Sequence, residues 1–322
     1  MQYRQFGRTG WQVSEITFGA WQLGGTWGAI SDKESIDTLH CAFDHGINMV
    51  DTAAAYGQGQ SERVIAKALK QSSAQVYIAS KIAPLGIEAQ SPYRDSIDGR
   101  FPAQHIIDSV DASLSRLGVE CIDLMQLHLW FSDGHLKLEW HEALSSLVQA
   151  GKIRAFGVSL PDIQPQVGVA LAQTELVTSQ QVIYNLFEQE PDKTLFRAGE
   201  ETGTAFIARV PFDSGALTGT WDENTYQQWS KDDKRHAMYQ GDNFSKTLSR
   251  IEKLKAACAP YYPTLAEAAM RFCLSDKAVS TIACGMRNRE EVIENIKYCD
   301  GELLPEALRK GVAEHQWKHN FY

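Results

Sequence analysis

Short apolar runs alternate along this chain with longer segments whose apolar positions recur at the spacing of an amphipathic helix. The runs at 15–19, 48–51, 76–81, 123–128, 153–159, 178–184, 204–210 and 279–282 read as strands. Helices are predicted between them at 31–45, 61–70, 102–117, 139–150, 163–172 and 193–202, and later at 245–257, 264–274, 288–297 and 305–315. Ser31-Asp32-Lys33-Glu34 is a capping box, Gly46 and Gly151 are stop signals, and Pro102 suits a helix first turn. Ahead of the first strand, Tyr3 to Phe6 and Trp11 to Val13 flank Gly7-Arg8-Thr9-Gly10, a hairpin pattern. After the seventh strand the alternation breaks into a polar, aromatic-rich insert at 218–243.

Eight short strands alternating with helices specify a (β/α)8 TIM barrel. The pattern implies one domain over 1–322, with an N-terminal β-hairpin at 1–14, the loop insert at 218–243 and a C-terminal helix. A doubly wound sheet is the alternative, but no GxGxxG follows any of the runs.

Composition narrows the partners. Hydrophobic content of 43 % with 22 % charged residues is that of a globular chain able to bury a large core. A formal net charge of -9 argues against nucleic acid or an anionic membrane surface as partner, though not against a small phosphorylated ligand. The six cysteines are scattered without a CxxC, the pattern of reduced thiols in a cytoplasmic protein with no metal site. The N-terminus has no basic segment followed by an apolar stretch, and no run approaches a membrane span.

In such a barrel the chemistry sits at the C-terminal ends of the strands. Those positions carry Asp51 with Tyr56 after the second strand, Lys81 on the third, His128 on the fourth, Ser159 on the fifth and Arg209 on the seventh. A phenol with a pKa of about 10 is a poor acid at neutral pH, and a nearby ammonium lowers it. Lys81 would supply that ammonium, Asp51 would keep it charged, and His128 would orient a carbonyl oxygen. The same Lys81 could instead form a Schiff base in an aldolase. The four residues in this order are far more specific than any one of them, each of which has an ordinary structural reading.

These residues carry a resemblance. The segments Gly19-Ala20-Trp21, Asp51-Thr52-Ala53-Ala54-Ala55-Tyr56-Gly57, Ser80-Lys81, Gln126-Leu127-His128, Gly157-Val158-Ser159, Gln181-Val182-Ile183-Tyr184-Asn185, Pro211-Phe212-Asp213-Ser214-Gly215-Ala216-Leu217 and Gly285-Met286-Arg287 resemble the aldo-keto reductase superfamily nearly end to end. The resemblance implies reduction of aldehydes or ketones, or the reverse alcohol oxidation, by hydride transfer from a nicotinamide. Tyr56 would be the general acid or base, Lys81 and Asp51 its tuners and His128 the positioner of the carbonyl. It further implies cofactor contacts from Gly19, Trp21, Asp51, Ser159 and Gln181. The segment from Pro211 and Phe212 through Ser214, Gly215 and Leu217 would fold over the pyrophosphate with its backbone N–H groups. Where many members carry Asn, this chain has Leu160. Where many carry a stacking ring it has Arg209, read as a cofactor contact, the alternative being an arginine paired with a loop acid.

For the cofactor's far end, Gly285 and Arg287 favour a 2′-phosphate, hence NADPH. Glu291 is either the capping partner of Asn288 or a carboxylate suited to NADH, so NADPH is preferred with NADH admitted. Glu294 and Asn295 match the adenine contacts. Trp21, Trp130 and Phe131, joined by Trp221, would wall a pocket for a small carbonyl or sugar. A sugar dehydrogenase of the same family and a nicotinamide-binding regulatory subunit with little turnover are the competing functions.

Overall fold

A computed structural model describes residues 1–25, 30–86 and 96–321 of the chain. Strands β1 (Tyr3–Gln5) and β2 (Gln12–Ser14) pair antiparallel around the turn Gly7–Thr9. Eight parallel strands follow: β3 (Ile16–Gly19), β4 (Met49–Asp51), β5 (Tyr77–Ile82), β6 (Ile122–Leu127), β7 (Ile153–Ser159), β8 (Ser179–Ile183), β9 (Ala205–Arg209) and β10 (Val279–Gly285). They pair in chain order, and β10 pairs with β3 to close the barrel. Closure leaves no sheet edge, and the helices between strands cover the outer face.

Side chains alternate along a strand, so two residues apart means one layer higher inside the barrel. Met49, Ala79 and Leu124 therefore join one lower apolar cluster with Ala155, Ala205 and Ile207. Phe6 and Val13 of the hairpin seal that layer from below, with Trp11 stacked on Tyr77 at 5.0 Å. Two residues further along the same strands stand Asp51, Lys81 and Gln126, all buried. An apolar plug at one end and a buried polar layer toward the other follow from one alternation pattern.

The helix signals act as expected. Ser31 and Glu34 form both bonds of a capping box at the start of helix Asp32–Asp44, and Gly46 then turns with φ 90°. The helix expected at 163–172 differs. The chain makes a 3-10 turn at Pro165–Gly168 and an α-helix only at Val169–Ala172; Pro165 keeps Gln164 outside the helical region, so no helix starts at 163. The insert at 218–243 is not an open loop. It carries helices Thr225–Gln228 and Lys234–Met238, and Trp221 packs against Tyr239, Trp229 and Phe244 at 4.9, 5.0 and 5.8 Å. No helix among the described residues is long and apolar enough to cross a membrane.

Gly24 sits where the loop after β3 presses on the Tyr56 turn, and a Cβ there would lie 2.7 Å from the Tyr56 carbonyl carbon and the Gly57 nitrogen. Gly24→Ala is expected to lower stability by about 1–3 kcal/mol. Gly311→Ala, in helix Glu306–Ala313 with nothing within 4 Å, is expected to raise it by up to about 1 kcal/mol. Denaturant melts of the two variants should move in opposite directions; a neutral Gly24→Ala would mean the two loops are not pressed together.

Candidate active site

Asp51 ends β4 and Lys81 lies one residue before the end of β5. Lys81 is 1 % exposed, and its Nζ donates to Asp51 Oδ2 at 2.6 Å and to the Thr52 carbonyl at 2.8 Å. The third donor of the ammonium reaches the Tyr56 hydroxyl at 3.2 Å. Gln126, the partner of Lys81 in the β5–β6 register, donates from Nε2 to the other Asp51 oxygen at 3.2 Å. Every hydrogen of the ammonium thus has an acceptor, as a buried charge requires.

Tyr56 is half-buried at the barrel mouth. His128, just past β6, meets it edge-on with ring centroids 5.9 Å apart, and Trp21 lies 6.5 Å away on another side. Burial, with the positive charges of Lys81 and Arg209, pushes His128 down to about 3, so its imidazole is neutral. Lys81 is held above its ordinary value because Asp51 and Tyr56 together outweigh the cost of burying the ammonium. Tyr56 corrects the expectation. Desolvation raises the phenol above its usual value and Asp51 adds to that, while Lys81 pulls against both without prevailing. The phenol therefore keeps its proton at neutral pH.

Asp51, Tyr56, Lys81 and His128 converge. A protonated phenol, a fixed ammonium behind it and a neutral imidazole beside it can hold an oxygen atom and hand it a proton. Ser159 ends β7 and stands in register with Gln181 in the middle of β8, both buried. Gln181 Nε2 and Arg209 Nε are buried donors without a partner, which fits a group bearing a carbonyl oxygen. Arg209 Nη2 is engaged elsewhere, with Asp162 at 2.6 Å and the Leu160 carbonyl at 3.0 Å. The loop-acid pairing is thus present, and it leaves one edge of the guanidinium available.

Gly19 lies in register with both Asp51 and Gly285, so three strand ends meet on this side of the mouth. In the loop after β9, Pro211, Ser214 and Leu217 are buried and Phe212 and Gly215 half-buried. The N–H groups of Gly215 and Leu217 already donate to the Phe212 carbonyl at 2.9 Å. Arg287, Asn288 and Glu291 line an open cleft of about 420 Å³ together with Ile30, Glu34 and Thr38. Glu291 accepts from the Arg287 backbone N–H at 2.7 Å, and Asn288 caps the helix through the Glu291 N–H at 2.8 Å. Asn295 points inward and donates to Cys284 Sγ at 3.5 Å, while Glu294 pairs with Lys297 and Tyr298.

The pocket wall needs correction. Trp130 is 1 % exposed and lies under Gly134, packed against Trp140 at 5.3 Å; Phe131 is 4 % exposed and packs on Phe101. Trp221 belongs to the aromatic cluster of the insert. Only Trp21 of the four faces the mouth, with Lys234 Nζ 5.1 Å above its ring. The residues that sequence reasoning passed over are supporting ones. A polar residue at the mouth end of β6 was the available signal for Gln126, whereas nothing local marked Asp162.

The Aldo/keto reductase family profile matches residues 15–310. The chain belongs to this family. The aldo-keto reductase YhdN of Bacillus subtilis (strain 168) is 34 % identical over 293 residues, covering 89 % of this chain and 85 % of that one. The NADH-specific methylglyoxal reductase of Escherichia coli (strain K12) is 27 % identical, covering 90 % and 91 %. Among solved structures, the glycerol dehydrogenase AKR11B4 from Gluconobacter oxydans superposes with a TM-score of 0.78 at 27 % identity, covering 98 % of this chain and 94 % of that one. Membership makes the chain an oxidoreductase of a family that uses nicotinamide cofactors on small molecules.

Removing Asp51 isolates the Lys81 ammonium in a low-dielectric site. Asp51→Asn is expected to cost about 3–5 kcal/mol near neutral pH. Without its partner the buried Lys81 titrates below the unfolded lysine, so the variant should regain stability as pH rises toward 10.5. In the wild type the sign is opposite, since the raised folded value makes the Lys81 contribution fully present below 10.5 and lost as pH climbs through the folded value. Urea melts at stepped pH check this, and a pH-independent Asp51→Asn would refute a buried ammonium.

Proposed function

We propose that the chain is an NADP(H)-dependent carbonyl reductase in which Tyr56 delivers the proton to the substrate oxygen. The observation that carries this reading is the buried Lys81 ammonium bridging Asp51 and the Tyr56 hydroxyl at 2.6 and 3.2 Å. A bound nicotinamide would supply the hydride; the chain supplies everything that happens at oxygen. Tyr56 starts with its proton in place, which is the state that reduction consumes. As the proton leaves, negative charge develops on the phenol oxygen, and the ammonium 3.2 Å away stabilises it. Neutral His128 can donate one hydrogen bond to the carbonyl and fix its direction without competing as the acid.

Ser159, Gln181 and Arg209 are the groups that would hold the carboxamide end, because two of their buried donors lack partners. Small aldehydes or ketones are the substrates this site favours, with the reverse oxidation available to the same residues. At the far end Arg287 supports NADPH, while the Glu291 carboxylate occupies the Arg287 N–H where a 2′-phosphate would compete. NADPH is favoured and NADH is also used.

Tyr56→Phe is expected to cut kcat at least about a hundredfold while cofactor affinity stays within about twofold. Absorbance assays over a panel of aldehydes, ketones and sugars, with fluorescence titration of the cofactor, read both quantities; retained turnover would sink the role of Tyr56. Glu291→Gln should tighten NADPH relative to NADH by about fivefold or more, because a carboxylate that repels the 2′-phosphate is gone. An unchanged ratio would place Glu291 outside the cofactor's reach.

A further inference from the structure

The loop after β9 holds three left-handed residues that are not glycine: Val210 at φ 59°, Asp213 at 46° and Ser214 at 57°, followed by Gly215 at 103°. Such conformations are costly for L-residues and persist only where surrounding contacts over-determine them. Those contacts are specific. Asn185 Nδ2 donates to the Val210 carbonyl at 2.9 Å. The Tyr239 hydroxyl, from the insert, donates to the Asp213 carbonyl at 3.1 Å. The Asp213 carboxylate, fully buried, meets His319 Nε2 at 3.1 Å.

His319 arrives from the far end of the chain. It is 5 % exposed, its backbone N–H donates to Glu188 Oε1 at 3.0 Å, and its ring packs against Phe321 and Trp317 at 4.6 and 4.8 Å. The charged groups around it are Asp213 from the loop, Glu188 from the segment after β8, neighbouring Lys318, and Arg250, whose guanidinium lies 4.4 Å over the Trp317 ring. Burial disfavours a charge on His319, yet the two carboxylates outweigh it and Arg250 together and hold the imidazole above its ordinary value. None of these groups belongs to the proton-transfer set at Tyr56.

We propose that His319 is a positioning residue: through Asp213, its ring holds the 210–217 loop in the strained form that receives the cofactor, so the C-terminal segment sets cofactor affinity and leaves the proton-transfer step alone. This rests on the reading that the loop meets a nicotinamide cofactor. The sign follows from linkage. A raised imidazole is charged at low pH and loses its proton as pH climbs through the raised value, so affinity should weaken on the alkaline side.

The test titrates NADH, which has no 2′-phosphate to titrate, against the full chain by fluorescence from about pH 6 to about pH 9. The wild type should weaken severalfold across that range. His319→Ala should raise Kd for NADH and NADPH about tenfold, while kcat at saturating cofactor stays within about twofold. His319→Gln, which keeps a donor and loses the charge, should show a smaller loss and no pH dependence. Should His319→Ala fail to fold by circular dichroism, His319→Gln and the wild-type profile decide the matter. Wild-type affinity with the wild-type pH profile in His319→Gln overturns the proposal, as does a fall in kcat at unchanged Kd. A wild type that binds neither cofactor refutes the reading of the loop itself and this inference with it, a failure visible without any variant.

Discussion

The Tyr56 side of this barrel's mouth depends on the ion pair between Lys81 and Asp51. Two full charges in the barrel interior carry a desolvation cost that attraction alone need not recover. The structure meets it with complete bonding: the Thr52 carbonyl and Tyr56 hydroxyl take the remaining ammonium hydrogens, and Gln126 takes the second carboxylate oxygen. The geometry is supplied by register. Lys81 faces Gln126 across β5–β6, and Asp51 pairs with Ala79, so the strand alternation that packs Met49, Ala79 and Leu124 below must lift Asp51, Lys81 and Gln126 together above. Packing at the bottom and ionisation at the top are therefore one arrangement seen at two heights.

The other rim of the mouth is built differently. The loop after β9 is held by contacts from three distant places: Asn185 after β8, Tyr239 in the insert and His319 in the C-terminal segment. On the Tyr56 side, Asp51 and Lys81 stand on barrel strands and His128 directly follows one. The loop side depends on those contacts, one of which comes from Tyr239, part of the aromatic cluster with Trp221, Trp229 and Phe244.

Much of this was legible in the chain because it is local. A short apolar run ending in a charged residue identifies a strand and its tip, and order along the chain then brings Asp51, Lys81 and His128 to one mouth. What was not legible depends on distance or on balance. Trp130 and Phe131 follow a strand tip as pocket residues would, and nothing nearby reveals that Gly134 and Phe101 cover them. The partner of Arg209 is Asp162, 47 residues away, and that of Asp213 is His319, 106 residues away. For Tyr56 the neighbours were foreseen but the outcome was not, because burial and Asp51 oppose Lys81 and only their relative sizes decide the sign. Pro165 was in plain view, and the restriction it places on Gln164 moves the helix start.

The proton inventory narrows the chemistry more firmly than the shape of the mouth. His128, pushed down to about 3, neither gains nor loses a proton over the pH range in which enzymes work. Lys81 is held above its ordinary value and spends its hydrogens on three acceptors, so no neutral amine is available to attack a carbonyl. A Schiff-base aldolase built on Lys81 would need the opposite, a lysine whose burial is uncompensated and whose pKa is depressed. Asp51 removes that option by the same contact that makes Lys81 an electrostatic partner of Tyr56. The proton that the proposed reduction would use is the one on the Tyr56 hydroxyl, whose oxygen lies 3.2 Å from a positive charge that is already in place.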